Sequence, residues 1–296
     1  MIESIDEYLN QLRKELAGSD RATIQDALSD AEEHLRTALD TDREAQAGVS
    51  EAEALPPIVE EYGSPEEVAA AYREIEVRLR PTLAQPRHAD NRSLFARFFG
   101  VYADPRAWGA LLYMLFSILT GTLYFSWVVT GLSFSLGVMI LIIGVPITVL
   151  FLLSVRGIAL VEGRLVEALL GVRMPRRSAF SSTNLGWWER LKPLLLGKRT
   201  WLAIVYMLLQ LPLGVLYFTV LITLIALALS FIATPVLGPV LGLPIVYVDE
   251  ARYYLPDWLT PLIALAGVVL MTATMHLAKF AGRVHGKLAK ALLVSD

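Results

Sequence analysis

The sequence predicts an all-α membrane protein with four transmembrane helices, arranged as two parallel two-helix repeats, and an N-terminal cytoplasmic helical bundle. The chain has 296 residues, of which 55% are hydrophobic and 20 are glycine, a larger apolar share than the roughly 45 to 50% of soluble domains. Two stretches of 49 residues, between Arg106 and Arg156 and between Arg199 and Asp249, contain no Asp, Glu, Lys or Arg. The first 80 residues carry a net charge of −12 and the rest carry +9, so the two parts face different surroundings.

The charge-free stretches are long enough for more than one crossing, because a spanning helix needs about 20 apolar residues. The first stretch predicts spans over 108–130 and 134–155, joined by a turn. In the second, 201–229 can span, whereas the prolines and glycines of 234–248 interrupt helical hydrogen bonding and predict a loop at the outer interface. The fourth span is expected over 258–275.

The basic residues indicate the orientation in the plasma membrane. Of the 18 Lys and Arg residues after residue 80, this arrangement places only Arg252 on the outer side. The positive-inside rule therefore predicts that both termini are cytoplasmic. Trp108, Trp201 and Trp258 fall at span ends, where aromatic residues typically anchor helices at the interface.

An internal repeat covers the membrane part, with copies at 106–171 and 199–294. Ten identities recur at an offset of 93 residues, and a further set recurs at an offset of 123 after a 30-residue insertion. Because each copy has two crossings, both enter from the same side, and the pseudo-symmetry axis should lie along the membrane normal. The first set pairs Arg106, Trp108, Tyr113, Met114, Leu115, Gly121, Leu123, Tyr124, Phe125 and Thr130 with Arg199, Trp201, Tyr206, Met207, Leu208, Gly214, Leu216, Tyr217, Phe218 and Thr223.

Each copy ends in an amphipathic segment, 157–171 and 282–294. Two interpretations are open. The segments lie along the inner leaflet with their basic side chains near anionic headgroups, or they simply continue the spanning helices into the cytosol.

The N-terminal 80 residues predict a small acidic bundle of four helices. The first covers 2–17 and the second runs to about Ala38. A third begins at Ser50 with a capping box and is kinked or restarted at Pro56-Pro57, and a fourth begins at Ser64 with Pro65 in the first turn. A linker and interfacial segment, 81–105, separates this module from the membrane domain, 106–296.

Two groups of motifs resemble known families. Residues 1–80 resemble the HAAS signalling domain, a helical module found beside membrane segments and often associated with PadR-type regulators. The similarity lies in Tyr8-Leu9-x-x-Leu12, in His34 and in the run from Glu61 to Ala69, EYGSPEEVA.

Residues 100–295 are similar to the four-helix sensor domain that precedes the kinase in many actinobacterial histidine kinases. No phosphoacceptor helix or ATP-binding module follows Val294, so the resemblance implies no kinase activity. The matching elements are Arg156-Gly157-x-Ala159-x-x-Glu162-x-Arg164, Gly171-Val172-x-Met174-Pro175 and Leu211-Pro212-x-Gly214.

The sequence shows no catalytic, cofactor-binding or metal-binding constellation. The chain has no cysteine, and its four histidines, His34, His88, His276 and His285, form no pair with metal-ligand spacing. No phosphate-binding loop, nucleophile elbow or dinucleotide fingerprint is present. We therefore expect no enzyme, no cofactor and no direct nucleic-acid binding.

The polar residues in the predicted spans are uncharged, and none at mid-depth is ionisable. This argues against an ion-coupled carrier. Ser117 and Gln210 are equivalent in the repeat, so we expect polar contacts between helices there. Pro146 and Pro212 could kink two spans and open a crevice for an apolar molecule or lipid.

A basic patch in the loop between the repeats is expected to contact the inner leaflet or a partner. The acidic face of 1–80 could dock on a basic partner or on this patch of its own chain, because the charges are opposite. The patch comprises Arg173, Arg176, Arg177, Arg190, Lys192, Lys198 and Arg199.

The resemblances imply a non-enzymatic membrane signalling or regulatory protein that couples a membrane signal to a cytoplasmic partner, such as a PadR-type regulator or a kinase, and that could form a homo-oligomer. Two alternatives are an accessory subunit of a larger membrane complex and a carrier of lipids or small molecules.

Reporter fusions in cells test the predicted topology. A reporter that works only in the cytoplasm should be active at both ends of the chain, because basic residues hold both ends inside. A reporter that works only after export should be active when inserted near Asp257. An exported terminus, or an odd number of crossings, would contradict the four-span topology.

Overall fold

A computed structural model describes residues 2, 4–45, 50–78, 93–138, 144–175, 195, 197–241, 246–248, 251–253, 256 and 258–294. These residues are mainly helical, with one short β-hairpin. The elements are α1 Ile5–Glu15, α2 Arg21–Ala45, α3 Glu51–Tyr62, α4 Pro65–Arg78, α5 Leu94–Phe99, a 3-10 turn Gly100–Ala103, α6 Pro105–Val138, α7 Gly144–Leu170, α8 Lys198–Leu241, β1 Val246–Val248, β2 Ala251–Tyr253 and α9 Thr260–Leu293.

Four helices are long and apolar enough to cross a membrane, which confirms the predicted number of spans. Their bounds differ from the predicted ones. Helix α6 continues through residues 131–133, so the predicted turn there is wrong. Helix α8 likewise continues through Pro235 and Pro239, although each proline removes one backbone donor.

Helices α7 and α9 continue past the ends of the predicted spans into the amphipathic segments. Of the two interpretations of these segments, the structure therefore shows the continuation of the spanning helices. The sequence prediction placed the ends of the spans before Arg156 and Lys279, because charge usually marks the membrane boundary. A helix has no reason to end there, since its backbone bonds are satisfied internally in either solvent.

The chain forms two compact units, each built from separate parts of the sequence. Unit 1 contains Met1–Ala84, Tyr124–Leu208 and Gly286–Asp296. Unit 2 contains Gln85–Leu123 and Leu209–His285. The long helices thus contribute to both units.

Helices α1 to α4 in unit 1 form the predicted N-terminal bundle. Its core consists of fully buried side chains such as Tyr8, Leu12 and Leu35. The Tyr8 hydroxyl donates to the carbonyl oxygen of Gly63 at 2.8 Å. Burial, with a smaller effect of the Glu67 carboxylate, raises the pKa of Tyr8 to about 12. The hydrogen bond from Tyr8 attaches α1 to the turn between α3 and α4.

The helix starts in this bundle confirm the predicted caps. Ser50 and Glu53 form a reciprocal capping box at α3, and that helix contains both prolines without ending. At α4, the Ser64 amide donates to Glu67 Oε2 at 2.9 Å, and the Glu67 amide donates back to Ser64 Oγ at 3.3 Å. The hydrogen bonds from the Ser64 amide and hydroxyl lower the pKa of Glu67.

Helices α6 and α8 approach each other closely in unit 2. A Cβ at Gly121 would lie 2.6 Å from the carbonyl oxygen of Gln210, and one at Gly214 would lie 2.5 Å from that of Ser117. Adding the offset of 93 residues to positions 117 and 121 gives 210 and 214. Each of the two contacts is therefore the counterpart of the other in the predicted repeat. The duplication stays a prediction, and this reciprocal contact supports it.

An ion cluster at the start of α6 also belongs to unit 2. Asp104 accepts hydrogen bonds from Lys279 Nζ at 2.6 Å and from Arg106 Nε at 2.9 Å. Burial alone would raise the pKa of Asp104, but the bonds from Lys279 and Arg106 outweigh it and lower the pKa to about 2. The cluster joins the start of α6 to α9.

Replacing Gly214 by alanine should lower the free energy of unfolding by about 1–3 kcal/mol, because the added methyl group would press on the α6 backbone. Thermal unfolding of the purified protein in detergent measures the change. Gly137→Ala is the matched control, since nothing lies within 4 Å of a Cβ there and alanine favours the helix. Equal effects of the two substitutions would contradict close packing at Gly214.

Candidate functional site

A buried carboxylate, Glu162, lies on α7 in unit 1. Its side chain is fully buried. It accepts hydrogen bonds from the hydroxyl groups of Tyr124 on α6, at 2.9 Å, and Tyr206 on α8, at 2.8 Å. A carboxyl group is stable in such a position only when donors replace water, and the two tyrosines do so. Glu162 therefore joins three of the membrane helices.

A buried imidazole, His285, occupies a similar setting on α9 in unit 2. Its Nε2 lies 2.7 Å from the Tyr113 hydroxyl, and its Nδ1 lies 3.4 Å from the Tyr217 hydroxyl. Gln210 Nε2 donates to the same Tyr113 hydroxyl at 3.0 Å. The tautomer of the ring determines which of the two tyrosines donates and which accepts.

The two centres occupy matching positions in the predicted repeat. Tyr113 and Tyr124 correspond to Tyr206 and Tyr217 at the 93-residue offset, and Glu162 corresponds to His285 at the 123-residue offset. The sequence comparison paired the tyrosines but missed the groups that they bind, because those groups differ in type. The recurring tyrosines were the signal that could have located both centres.

Ionisable side chains are thus present on the helices that can cross a membrane, in the parts that follow the predicted spans. Arg156, Glu162 and His285 lie on α7 and α9 beyond the predicted span ends, yet within helices that are long and apolar enough to cross. Arg156 directly follows the second predicted span, and Glu162 and His285 lie in the two amphipathic segments.

Ser117 and Gln210 do not bond to each other. The Ser117 hydroxyl donates to the Met114 carbonyl of its own helix at 2.6 Å, and Gln210 bonds Tyr113 instead. Gln210 thus makes a polar side-chain contact between α8 and α6, whereas the Ser117 side chain makes none, and the carbonyl oxygens of both residues lie against Gly214 and Gly121. Serine side chains in helices commonly bond the preceding turn, which takes the hydroxyl away from a neighbouring helix.

The N-terminal bundle contacts the membrane domain within unit 1 through oppositely charged groups at the start of α2. Asp26 is buried, and its carboxylate lies 3.9 Å from Nη2 of Arg173, which follows α7. Asp20 forms an ion pair with Lys290 near the end of α9. Both acidic groups belong to the acidic module, and both basic groups belong to the membrane part.

The predicted basic patch is only partly within the described residues. Arg173 pairs with Asp26, Lys198 is exposed, and Arg199 is attracted by the charge of Asp26. The remaining patch residues lie outside the described residues; they are Arg176, Arg177, Arg190 and Lys192.

A crevice of about 270 Å³ separates part of α6 from part of α7 in unit 1, and its lining is almost entirely apolar. Trp127 closes one side by donating from Nε1 to the Ser154 hydroxyl at 2.9 Å, while Phe151 packs on Gly131. Among the described residues, the buried Ser135 hydroxyl has no hydrogen-bond partner. Neither Pro146 nor Pro212 lines the crevice, although Ile147, the residue after Pro146, does, and a crevice opened by proline kinks stays a prediction.

The described histidines and carboxylates include no group of three or more that could hold a metal ion. His34 is exposed, and its ring stacks on Tyr62. His276 Nε2 lies 2.9 Å from the carbonyl oxygen of Phe98. His88 lies outside the described residues.

A double-mutant cycle tests the Glu162 centre. Glu162→Gln and Tyr206→Phe should each lower the free energy of unfolding by about 1–3 kcal/mol, because each leaves a buried polar group without its partner. The double variant should lose less than the sum, since both changes remove one shared bond. Unfolding in detergent measures all three, and exposed Glu66→Gln should change little. Strictly additive losses would contradict the bond.

Two models of known protein families match the chain. A family model described as "Putative sensor" matches residues 113–293, more than half of the chain, and the HAAS model matches residues 7–71. No kinase domain model matches. No curated protein and no solved structure matches the chain. Both resemblances drawn from the sequence are confirmed, and the chain belongs to the Sensor family, with a HAAS domain preceding its sensor domain.

Proposed function

We propose that this protein is a non-enzymatic membrane regulator that converts a change among its membrane helices into a change in the accessibility of its HAAS domain. Both matched families are of a regulatory, non-catalytic type, and together with four apolar helices they indicate a multi-pass membrane protein of the signalling type. To this we add the coupling between the membrane part and a cytoplasmic partner.

One observation carries the proposal: the start of α2 is ion-paired to the basic ends of the membrane helices. Asp26 meets Arg173, and Asp20 meets Lys290. The surrounding side chains of α2 are buried as well, with Ala22 and Thr23 fully inaccessible. A shift of α7 or α9 would therefore change the surface that the HAAS domain offers.

Helix α7 provides a continuous path for such a shift within unit 1. Its first half lines the apolar crevice, its second half carries Glu162, and Arg173 follows its last turn. An apolar molecule or lipid chain in the crevice would press on Phe151 and displace α7 relative to α6. The rigid helix would carry that displacement to the ion pair at Asp26.

The partner would be a cytoplasmic protein with a basic contact surface. Exposed carboxylates lie on α3 and α4 of the HAAS domain, among them Glu60, Glu61 and Glu66. HAAS domains generally mediate partner interactions. Complementary charge would speed association and make it sensitive to salt.

The proposed arrangement in the cell follows from the charge distribution. Both termini are cytoplasmic, the module 1–80 and the linker 81–105 precede the membrane domain 106–296, and the chain resides in the plasma membrane.

Crosslinking in native membranes tests the contact between Asp20 and Lys290. Because the chain has no native cysteine, only the introduced cysteines can react. Asp20→Cys with Lys290→Cys should react with a short bismaleimide, because these side chains are in contact. Asp42→Cys with Lys290→Cys is the control, since Asp42 is exposed far along the same helix. Equal crosslinking of both pairs would contradict the docked arrangement.

A charge exchange links this contact to function. Asp20→Lys should increase capture of the cytoplasmic partner from native membranes, because like charges at Lys290 release the module. Adding Lys290→Asp should restore the wild-type level. Capture that does not respond to either change would contradict the coupling, and a stoichiometric energy-converting or transport complex would indicate the accessory-subunit alternative.

A further inference from the structure

The crevice between α6 and α7 in unit 1 has the volume and the lining of a site for a slender apolar ligand. Its volume of about 270 Å³ is near the lower end of the roughly 300–1,000 Å³ range of small-molecule sites. It lies in the charge-free stretch between Arg106 and Arg156, and none of the described residues that line it is ionisable. Apolar cavities of this kind stay dry and take up apolar molecules instead of water.

The crevice opens toward the surface that contacts lipid when these helices cross a membrane. Trp127, Phe134 and Leu150 line it, and each of these large side chains is at least half exposed. Helices α6 and α7 are both long and apolar enough to span. Lipid chains are as apolar as these side chains, so a ligand can enter the crevice from the bilayer without passing through water.

One buried hydroxyl in the lining lacks the hydrogen bond that serines in helices commonly form. Ser117 and Ser154 each donate to a carbonyl oxygen of the preceding turn at 2.6 Å. Ser135 is 4% exposed, and its hydroxyl has no hydrogen-bond partner among the described residues. A buried hydroxyl without a partner is unfavourable, and a ligand that supplies an acceptor removes this penalty.

We propose that the crevice binds one ester-linked acyl chain of a membrane glycerolipid, with the ester carbonyl oxygen accepting a hydrogen bond from the Ser135 hydroxyl. The chain matches the apolar lining, and the ester supplies an uncharged acceptor. A carboxylate or phosphate would need a positive charge, which the described lining does not offer, so the headgroup lies outside the crevice. This inference rests on the proposed function, in which an occupant of the crevice displaces α7, and it names the chemical class of that occupant.

Photolabelling of the full-length protein tests the site. The protein is reconstituted in vesicles of ether-linked phosphatidylcholine, which lacks ester carbonyls, and a trace of phosphatidylcholine with a diazirine in one ester-linked chain is added. We expect mass spectrometry to place most of the label on the peptides of α6 and α7 that line the crevice. An otherwise identical ether-linked probe should label these peptides about fivefold less, because it lacks the carbonyl acceptor.

Two serine variants on α6 separate the hydrogen bond from general contact with lipid. Ser135→Ala should reduce labelling by the ester probe about fivefold and should leave labelling by the ether probe unchanged, since only the ester accepts the bond. Ser133→Ala is the matched control, because it removes an exposed hydroxyl two residues away, and it should change neither. The comparison of the two probes on the wild-type protein does not depend on the folding of any variant.

Three results would overturn the proposal: label spread evenly over the exposed surfaces of the four long helices, equal labelling of the wild type by the ester and ether probes, or labelling by the ester probe that Ser135→Ala leaves unchanged. Labelling reports on binding alone, whereas the crosslink between positions 20 and 290 reports on the coupling contact. A failure of this site is therefore distinguishable from a failure of the proposed function.

Discussion

Polar side chains buried among membrane helices must find their hydrogen-bond partners inside the protein, because hydrocarbon offers none. This constraint explains the most specific features of the structure. Glu162 is buried in unit 1 and His285 in unit 2, and each is bonded by two tyrosines from other helices. Tyrosine suits this role because its ring packs as an apolar group while its hydroxyl reaches a polar partner.

The number and character of the spans could be predicted from the sequence, whereas their ends could not. A charge-free run of 49 residues has few stable solutions in a bilayer, so the count followed directly. Charge was taken as the signal that ends a span, and it does not end a helix, since α7 and α9 continue past Arg156 and Lys279. Helix caps, by contrast, depend on local residue chemistry, and the starts at Ser50 and Ser64 were predicted correctly.

Of the contact between the HAAS domain and the membrane part, only the opposite charges of the two sides could be predicted from the sequence. The acidic and basic halves of the sequence pointed to mutual attraction, but many acidic residues of the module could have served. The structure brings together Asp20 and Asp26 with Lys290 and Arg173, of which only Arg173 belonged to the predicted patch. Such pairing depends on how distant helices pack, and periodicity within a single helix does not contain that information.

Within the predicted repeat, His285 stands at the position that matches Glu162, and the two groups differ in the hydrogen bonds that they can form. One half here offers an acid that only accepts hydrogen bonds when ionised, and the other offers a ring that both donates and accepts. The predicted repeat would thus combine a centre in unit 1 that only accepts with a centre in unit 2 that also donates, so its two halves would be chemically unequal at this position.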